Sequence, residues 1–477
     1  MSQLFPTDVD TTPASVHHLP PPLYVTRRLK TPVRDQMVIR TESLDQELPT
    51  NHPVRFVWKL VEQLDFSPWL KLLKAVEGRP GRKGIDPKLL LAIWVYATIQ
   101  GEGSARRVND HCTMHKAYRW LCGGVSMNYH SLSDFRSDSE EQFGEVIVQI
   151  VSSLMSQGLV SLKRVAQDGM KVRASAGKSS FRRRETLDVC LKEAREHLAE
   201  INAITPTQWA EVTKRQKAAR FRAARERVER LEEATAQCSE LQTKQDAGRK
   251  DRQDKQPRVS TTDPDARVMQ FSDGGYRPGF NVNFASDTQS SIIVGDQVTN
   301  LGNDHGQLSP MMDQIEERFE KTPEELLVDG GCASAEEITK LAKRDVKVFS
   351  PVKNAAKSIA AGKDPYAAKP GDTDEVAEWR ERMGEPASAE VYKERSQVAE
   401  WVNAVCRNHD FRQVLVRGVE KVRSVALLHA ITHDLMHGLR LQTQAAAERL
   451  QAQAAAERLG LVAAGVVEQS TSAGASG

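Results

Sequence analysis

V-A-Q-D-G-M-K-V-R-A, residues 165–174, reads as a strand with an acid near its middle. Its valines suit a pleated, half-buried surface, and Asp168-Gly169 interrupts the apolar run. Working outward, F-N-V-N-F-A (280–285) reads as a second strand and S-I-I-V-G-D-Q-V (291–298) as a third. Ser286, Asp287 and the polar D-T-Q-S segment turn the chain between these two. L-S-P-M-M-D-Q-I-E-E-R (308–318) has helical spacing. Beyond it, E-L-L-V-D (325–329) and V-K-V-F-S-P-V (346–352) read as strands flanking a helix, A-E-E-I-T-K-L-A (335–342). Three meandering strands followed by alternating helices and strands predict an α/β domain built on a mixed sheet.

The remainder of the 477 residues frames that sheet. Residues 1–50, rich in Pro and Thr, read as a loose arm. From 51 to 161 the apolar spacing is helical, as in P-K-L-L-L-A-I-W-V-Y-A-T-I (87–99), and predicts an all-α N-terminal domain. A polar stretch with Ser104, Arg106, Arg107 and Asp110 reads as the second helix of a helix-turn-helix-like pair. Residues 185–256 interrupt the α/β domain of 162–440 between its first two strands. Their Arg, Glu, Gln and Ala content, with Pro206 as a break, predicts a helical hairpin. The tail 441–477 repeats Q-A-A-A-E-R-L at 444–450 and 453–459 and reads as an Ala-rich helical segment ending in disorder.

Composition narrows the class. With 27% charged and 39% hydrophobic residues the chain reads as soluble and globular, and no run approaches a membrane span. The first residues carry no signal-peptide pattern, and six scattered Cys fit a reducing cytoplasm. Net charge is only +2. The balance is uneven, however: residues 164–258 hold 23 Lys/Arg and 15 Asp/Glu, an excess of 23 − 15 = +8 that suits phosphate contacts. A solvated helical face would explain the same count. His111, Cys112, His115 and Cys122 lack the two spaced ligand pairs of a structural zinc site and read as ordinary helix residues.

Three acids stand in separate settings: Asp168 on the first strand, Asp329 in L-L-V-D-G-G (326–331), and Glu400 in the helix-like Y-K-E-R-S-Q-V-A-E-W (392–401). Carboxylates from two strands and a helix can converge on hard divalent cations, Mg²⁺ or Mn²⁺. Two such ions about 3.5–4 Å apart suit in-line attack on a phosphodiester. Asp-Gly is also a common turn dipeptide, and Glu390 and Glu394 offer alternative acids on the same helix.

These segments resemble the DDE transposases of bacterial insertion sequences, most closely the 1182 group. The resemblance covers about residues 50–440 and includes N-Y-H-S-L-S-D-F-R (128–136), T-D-P-D-A-R-V-M (262–269) and D-G-G-Y-R-P-G-F-N-V-N-F-A-S-D (273–287). It continues through V-D-G-G-C-A-S (328–334), Tyr392 and Arg395 before Glu400, F-R-Q-V-L-V-R-G-V-E-K-V-R (411–423) and T-H-D-L-M (432–436). It implies a ribonuclease-H-like domain with Asp168, Asp329 and Glu400 as metal-binding catalytic residues. It further implies DNA as partner (terminal inverted repeats and target), cleavage and strand transfer as activity, and a homodimer in the working complex. Tyr392, Arg395 and Arg407 hold the positions of the family signature, and Lys171 and Arg277, with Asn281 and Asn283, are further candidates for DNA contact. A metal-dependent nuclease on the same fold and a decayed DNA-binding remnant are the competing readings.

Overall fold

The computed structural model describes residues 41, 43–73, 83–204, 212–247 and 256–472, with side chains to residue 455. The expected arm over 1–50 falls largely outside these residues, as do Pro206 and the last five positions. From Leu44 onward the chain forms one compact unit.

Among the described residues seven helices come first: α1 (Pro53–Glu62), α2 (Ser67–Leu72), α3 (Pro87–Ile99), α4 (Ala105–Met114), α5 (Lys116–Cys122), α6 (Tyr129–Ser137) and α7 (Glu140–Ser156). Local chemistry sets their starts. Asp86 accepts from the Lys88 N–H with Pro87 in the first turn, Ser104 accepts from the Arg107 N–H, and Asn128 from the His130 N–H. Helix α3 is buried from Leu89 to Thr98, so it is the axis around which the others pack. Helix α4 keeps Arg106 and Arg107 exposed.

The sheet follows: β1 (Arg164–Arg173), a short β2 (Phe181–Arg182), helices α8 (Arg184–Ala203) and α9 (Lys214–Asp246), then β3 (Val259–Ser260), β4 (Arg267–Gln270), β5 (Tyr276–Asp287) and β6 (Ile293–Thr299). Helix α10 (Leu308–Phe319) leads to β7 (Glu325–Leu327), and α11 (Ala335–Ala342) to β8 (Lys347–Phe349). The main sheet runs β4-β5-β1-β7-β8, with β6 also paired to β5. Strands β4, β5, β6 and β1 pair antiparallel, while β1, β7 and β8 pair parallel. Each parallel strand is reached through a helix, as a crossover requires. The β5–β6 turn is held by Asp287, whose Oδ2 accepts from the Ser290 N–H at 2.9 Å. The second strand is longer than the expected 280–285. Its added N-terminal part pairs with β4, a four-residue strand whose R-V-M-Q has no alternation to announce it. Strands β2 and β3 form a separate pair at the base of the α8–α9 hairpin.

Helices α12 (Ala355–Ala360), α13 (Asp374–Gly384) and α14 (Pro386–Arg395) run into a π-helical turn at Ser396–Glu400, which continues as α15 (Trp401–Asn408). A last helix, α16, runs from Val419 to Ser472, so the Ala-rich repeats prolong the helix that packs on the core rather than forming a separate element. One hydrophobic core joins Val57, Trp94 and Ile147 of the first helices, Val172, Phe280 and Val282 of the sheet, and Leu427 and Ile431 of α16.

Asp263, after β3, ties this core to α16: its Oδ1 accepts from the Gly418 N–H at 3.2 Å, while Oδ2 is buried without a partner. Burial pushes its carboxyl up to about 6. A folded-state value above the unfolded one stabilises the fold at low pH and loses that contribution as pH rises through about 6. Asp263→Asn, keeping the acceptor and removing the charge, is expected to raise stability above pH 6 by up to about 3 kcal/mol and to leave it unchanged near pH 4. Urea unfolding at the two pH values checks it, and equal gains at both would contradict the assignment.

Candidate active site

Strand alternation places Asp168 on the same sheet face as Ala166. Ala166 packs there with Leu327 of β7, Phe349 of β8, and Val398 and Ala399 of the π turn. In the parallel β1–β7 pairing Ala166 stands opposite Leu327. The paired register ends there: Asp168 lies two residues beyond Ala166 on β1, and Asp329 two residues beyond Leu327, just past the end of β7. Asp329 is exposed where the strand gives way to a turn closed by Cys332 N–H donating to its carbonyl at 2.9 Å. A Cβ at Gly330 would stand 3.0 Å from the Pro351 carbonyl, which explains the glycine after that acid.

Asp168 is held at both oxygens. Arg395 donates to Oδ1 at 2.8 Å and Asn403 to Oδ2 at 3.0 Å. Eight residues separate the two donors, a spacing that points them to different faces of a regular helix. The π turn between them takes up one extra residue, so they act as if seven apart, close to two full turns, and reach the same carboxylate. Burial raises the Asp168 carboxyl above its ordinary range, with Arg395 pulling it down and the nearby Asp304 adding to the rise. Burial raises the Tyr392 hydroxyl and pushes the Cys332 thiol up to about 12, and the charges of Asp168 and Asp329 add to both rises.

The acids on the helix separate by their partners. Glu394 is paired with Arg164 at 2.6 Å, and Arg164 also holds Glu325 of β7. Glu390 pairs with Lys393 at 2.6 Å. Glu400 is exposed, closes the π turn and has no ion pair among the described residues. It lies one turn before Asn403. Arg407, seven residues on, is exposed two turns further along the same side.

The other candidates stand elsewhere. Lys171 and Asn281 face each other across β1 and β5, with Gly169 and Asn283 on the same face, opposite to that of Asp168. Arg277 pairs with Asp273 at 2.6 Å on the β4–β5 hairpin, seven residues along β5 from the partner of Asp168, about 23 Å away. Among the described residues no three His, Cys, Asp or Glu side chains stand close enough to hold one ion. In this arrangement the Arg395 guanidinium supplies the positive charge beside Asp168.

Asn403 and Asp304 escaped the sequence reading. Asn403 is 2% exposed, but its aim at Asp168 depends on the π turn, for which the sequence carries no mark. Asp304 accepts from Asn281, and a Cβ on Gly169 would meet Oδ1 of both Asp304 and Asn283 at 2.7 Å. Gly169→Ala is therefore expected to destabilise the fold by about 1–3 kcal/mol through overpacking beside the acid. A thermal melt matching the parent would refute it.

Two segments of the chain match known families: residues 42–138 match the Transposase domain (DUF772), and residues 248–435 match the Transposase DDE domain. The second match takes in Asp329 and Glu400, while Asp168 and the α8–α9 hairpin fall between the two. No curated protein and no solved structure matches the chain. No helix among the described residues is long and apolar enough to cross a membrane. The two domain matches, carried in one chain on a mixed α/β framework, support an insertion-sequence transposase family and indicate a transposase, an enzyme acting on DNA.

Proposed function

We propose that this chain binds the terminal inverted repeats of an insertion sequence of the 1182 group and catalyses metal-dependent cleavage and strand transfer, with Asp168, Asp329 and Glu400 as the metal-holding set. The observation that supports the reading is the parallel β1–β7 pairing, which stops two residues short of Asp168 and of Asp329, with both aspartates acting on Tyr392 of the helix that leads to Glu400, in a chain with a Transposase DDE domain match. The mixed sheet of antiparallel β4–β5–β1 and parallel β1–β7–β8 supports a ribonuclease-H-like domain.

Three carboxylates are hard oxygen donors of the kind that suit Mg²⁺ or Mn²⁺, although in this structure no three of the described His, Cys, Asp or Glu side chains stand close enough to hold one ion. Bound there, such ions would activate a water or a 3′-hydroxyl and stabilise the leaving oxygen. The protein's own work is positional. Arg395 and Asn403 hold both oxygens of Asp168 in one orientation before substrate arrives. Burial of that carboxylate makes an added cation more favourable than it would be in water. Tyr392 flanks the two aspartates, and Arg407 offers a fork of donors suited to phosphate along the same helical side. The first helices would read the DNA ends, and two subunits would bring a pair of ends together. The working place of such a protein is the cytoplasm, in contact with chromosomal DNA.

An assay supplying element ends with Mg²⁺ and a target duplex tests the reading. Nicking at the ends with joining of the new 3′-ends to target is the expected result. Hydrolysis without joining would favour the nuclease alternative, and binding without cutting the decayed remnant.

A further inference from the structure

Helix α9 has its charges sorted along its length. Its first fourteen residues, Lys214 to Arg227, hold seven Lys/Arg and one acid, a balance of 7 − 1 = +6. The remaining nineteen, to Asp246, hold two Lys/Arg and five acids, or 2 − 5 = −3. A helix that is charged merely to stay solvated has no reason to segregate its signs, and mixed i,i+4 pairs would serve it better. Such pairs occur where acids are available, as in Arg225 with Glu229 at 2.8 Å. Lys214, Arg215, Arg222 and Arg227 are exposed and have no ion pair among the described residues.

The basic half is also the distal half. Near its other end α9 is fixed to the sheet, where Gln237 donates to Asp265 at 2.6 Å and accepts from Arg267 at 2.6 Å. From Gln237 back to Arg215 (237 − 215 = 22 residues) the helix rises about 33 Å. The two helices of the hairpin pack together along this reach. Leu187, Ala194, Val228, Leu231 and Ala234 form one apolar seam, and Ile201 packs with Ala224 further out. Arg215 and Arg222, seven residues apart, share one outward side.

We propose that the distal half of α9 is a phosphate-contacting arm that grips duplex DNA about one helical turn or more from the hairpin's base. The occupant follows from charge: a duplex carries one negative charge per about 1.7 Å of axis, a density that a row of unpaired Arg and Lys complements. The contacts are to backbone, so the arm adds affinity and orientation without reading sequence. This rests on the proposed action on DNA and extends it to a segment lying between the two family matches.

The full-length chain with Arg215→Gln, Arg222→Gln and Arg227→Gln tests the arm, since Gln has nearly the helix propensity of Arg and the hairpin core is untouched. The readout is the slope of log binding constant against log salt, measured from about 50 to 200 mM on a mixed-sequence duplex. Three lost phosphate contacts should make the slope shallower by about 2.7. Glu232→Gln and Glu240→Gln, in the acidic half, should not make it shallower. An unchanged slope in the triple variant overturns the arm, as does an unchanged slope accompanied by altered self-association, which would assign the face to a second protein chain. The measurement needs no catalysis. Cleavage that survives Asp168→Asn would remove the proposed active site and leave the slope result standing.

Discussion

Asp168→Asn is expected to reduce metal-dependent strand cleavage by on the order of 10³-fold or more, because the amide cannot supply the negative oxygen that a hard cation needs. The substitution preserves shape, and the fold should tolerate it. Asp168 is largely buried and its carboxyl is raised by desolvation, so the ionised acid costs stability at neutral pH. Losing that cost offsets the loss of charge opposite Arg395, which remains hydrogen-bonded through the amide oxygen. The melting temperature should therefore move by only a few degrees, and duplex binding should persist. End-nicking assays with Mg²⁺ and with Mn²⁺, run beside a thermal melt, check both halves. Cleavage at the parental rate would refute the active-site assignment outright.

Glu400→Gln is expected to produce a comparable loss, while Glu394→Gln leaves cleavage within about tenfold of the parent. The two glutamates are six residues apart, yet their surroundings differ in kind. Glu394 is occupied by Arg164, and through it by Glu325, in an ion-pair set that braces β1, β7 and α14. With its side chain 39% exposed, that acid contributes no more than about 1 kcal/mol. Glu400 has no ion pair among the described residues and stands, exposed, at the end of the π turn. A helix segment with a π turn is also suited to small rotations, since one backbone residue is held outside the regular ladder. Single-turnover cleavage by the two variants decides between them: strong loss in Glu394→Gln with an active Glu400→Gln would exchange their roles.

Much of the fold is legible in the sequence. The strands around Val165, Phe280 and Ile293 and the helix Ala335–Ala342 announce themselves because apolar periodicity directly reports which face is buried. Strand β4 does not, since its pairing comes from the Asp273-Gly274 turn rather than from alternation. The expected helical hairpin rests on composition and the Pro206 break, but the separation of charges along α9 acquires meaning only when Gln237 is seen anchored to the sheet. The last helix shows the reverse difficulty. Its repeats suggested an independent tail, whereas backbone hydrogen bonding carries one helix through them without a break.

The candidate acids divide in the same way. Residue identity and local setting mark Asp168, Asp329 and Glu400, because carboxylates before glycines within or after strand-like runs, and on a helix after Tyr and Arg, are local patterns. Whether two of them, 161 positions apart (329 − 168), come together depends on how β1 and β7 pair, and that register is set by the packing of entire faces. The partners of Asp168 were beyond any local pattern. Arg395 and Asn403 meet it through a π turn whose Val398 and Ala399 pack on β1, β7 and β8, and a one-residue change of helical phase leaves no trace in composition or spacing. The sequence by itself thus determined which elements form and which residues carry charge. Only tertiary structure decided which of those charges share a carboxylate, because direction in space depends on long-range packing that no local window contains.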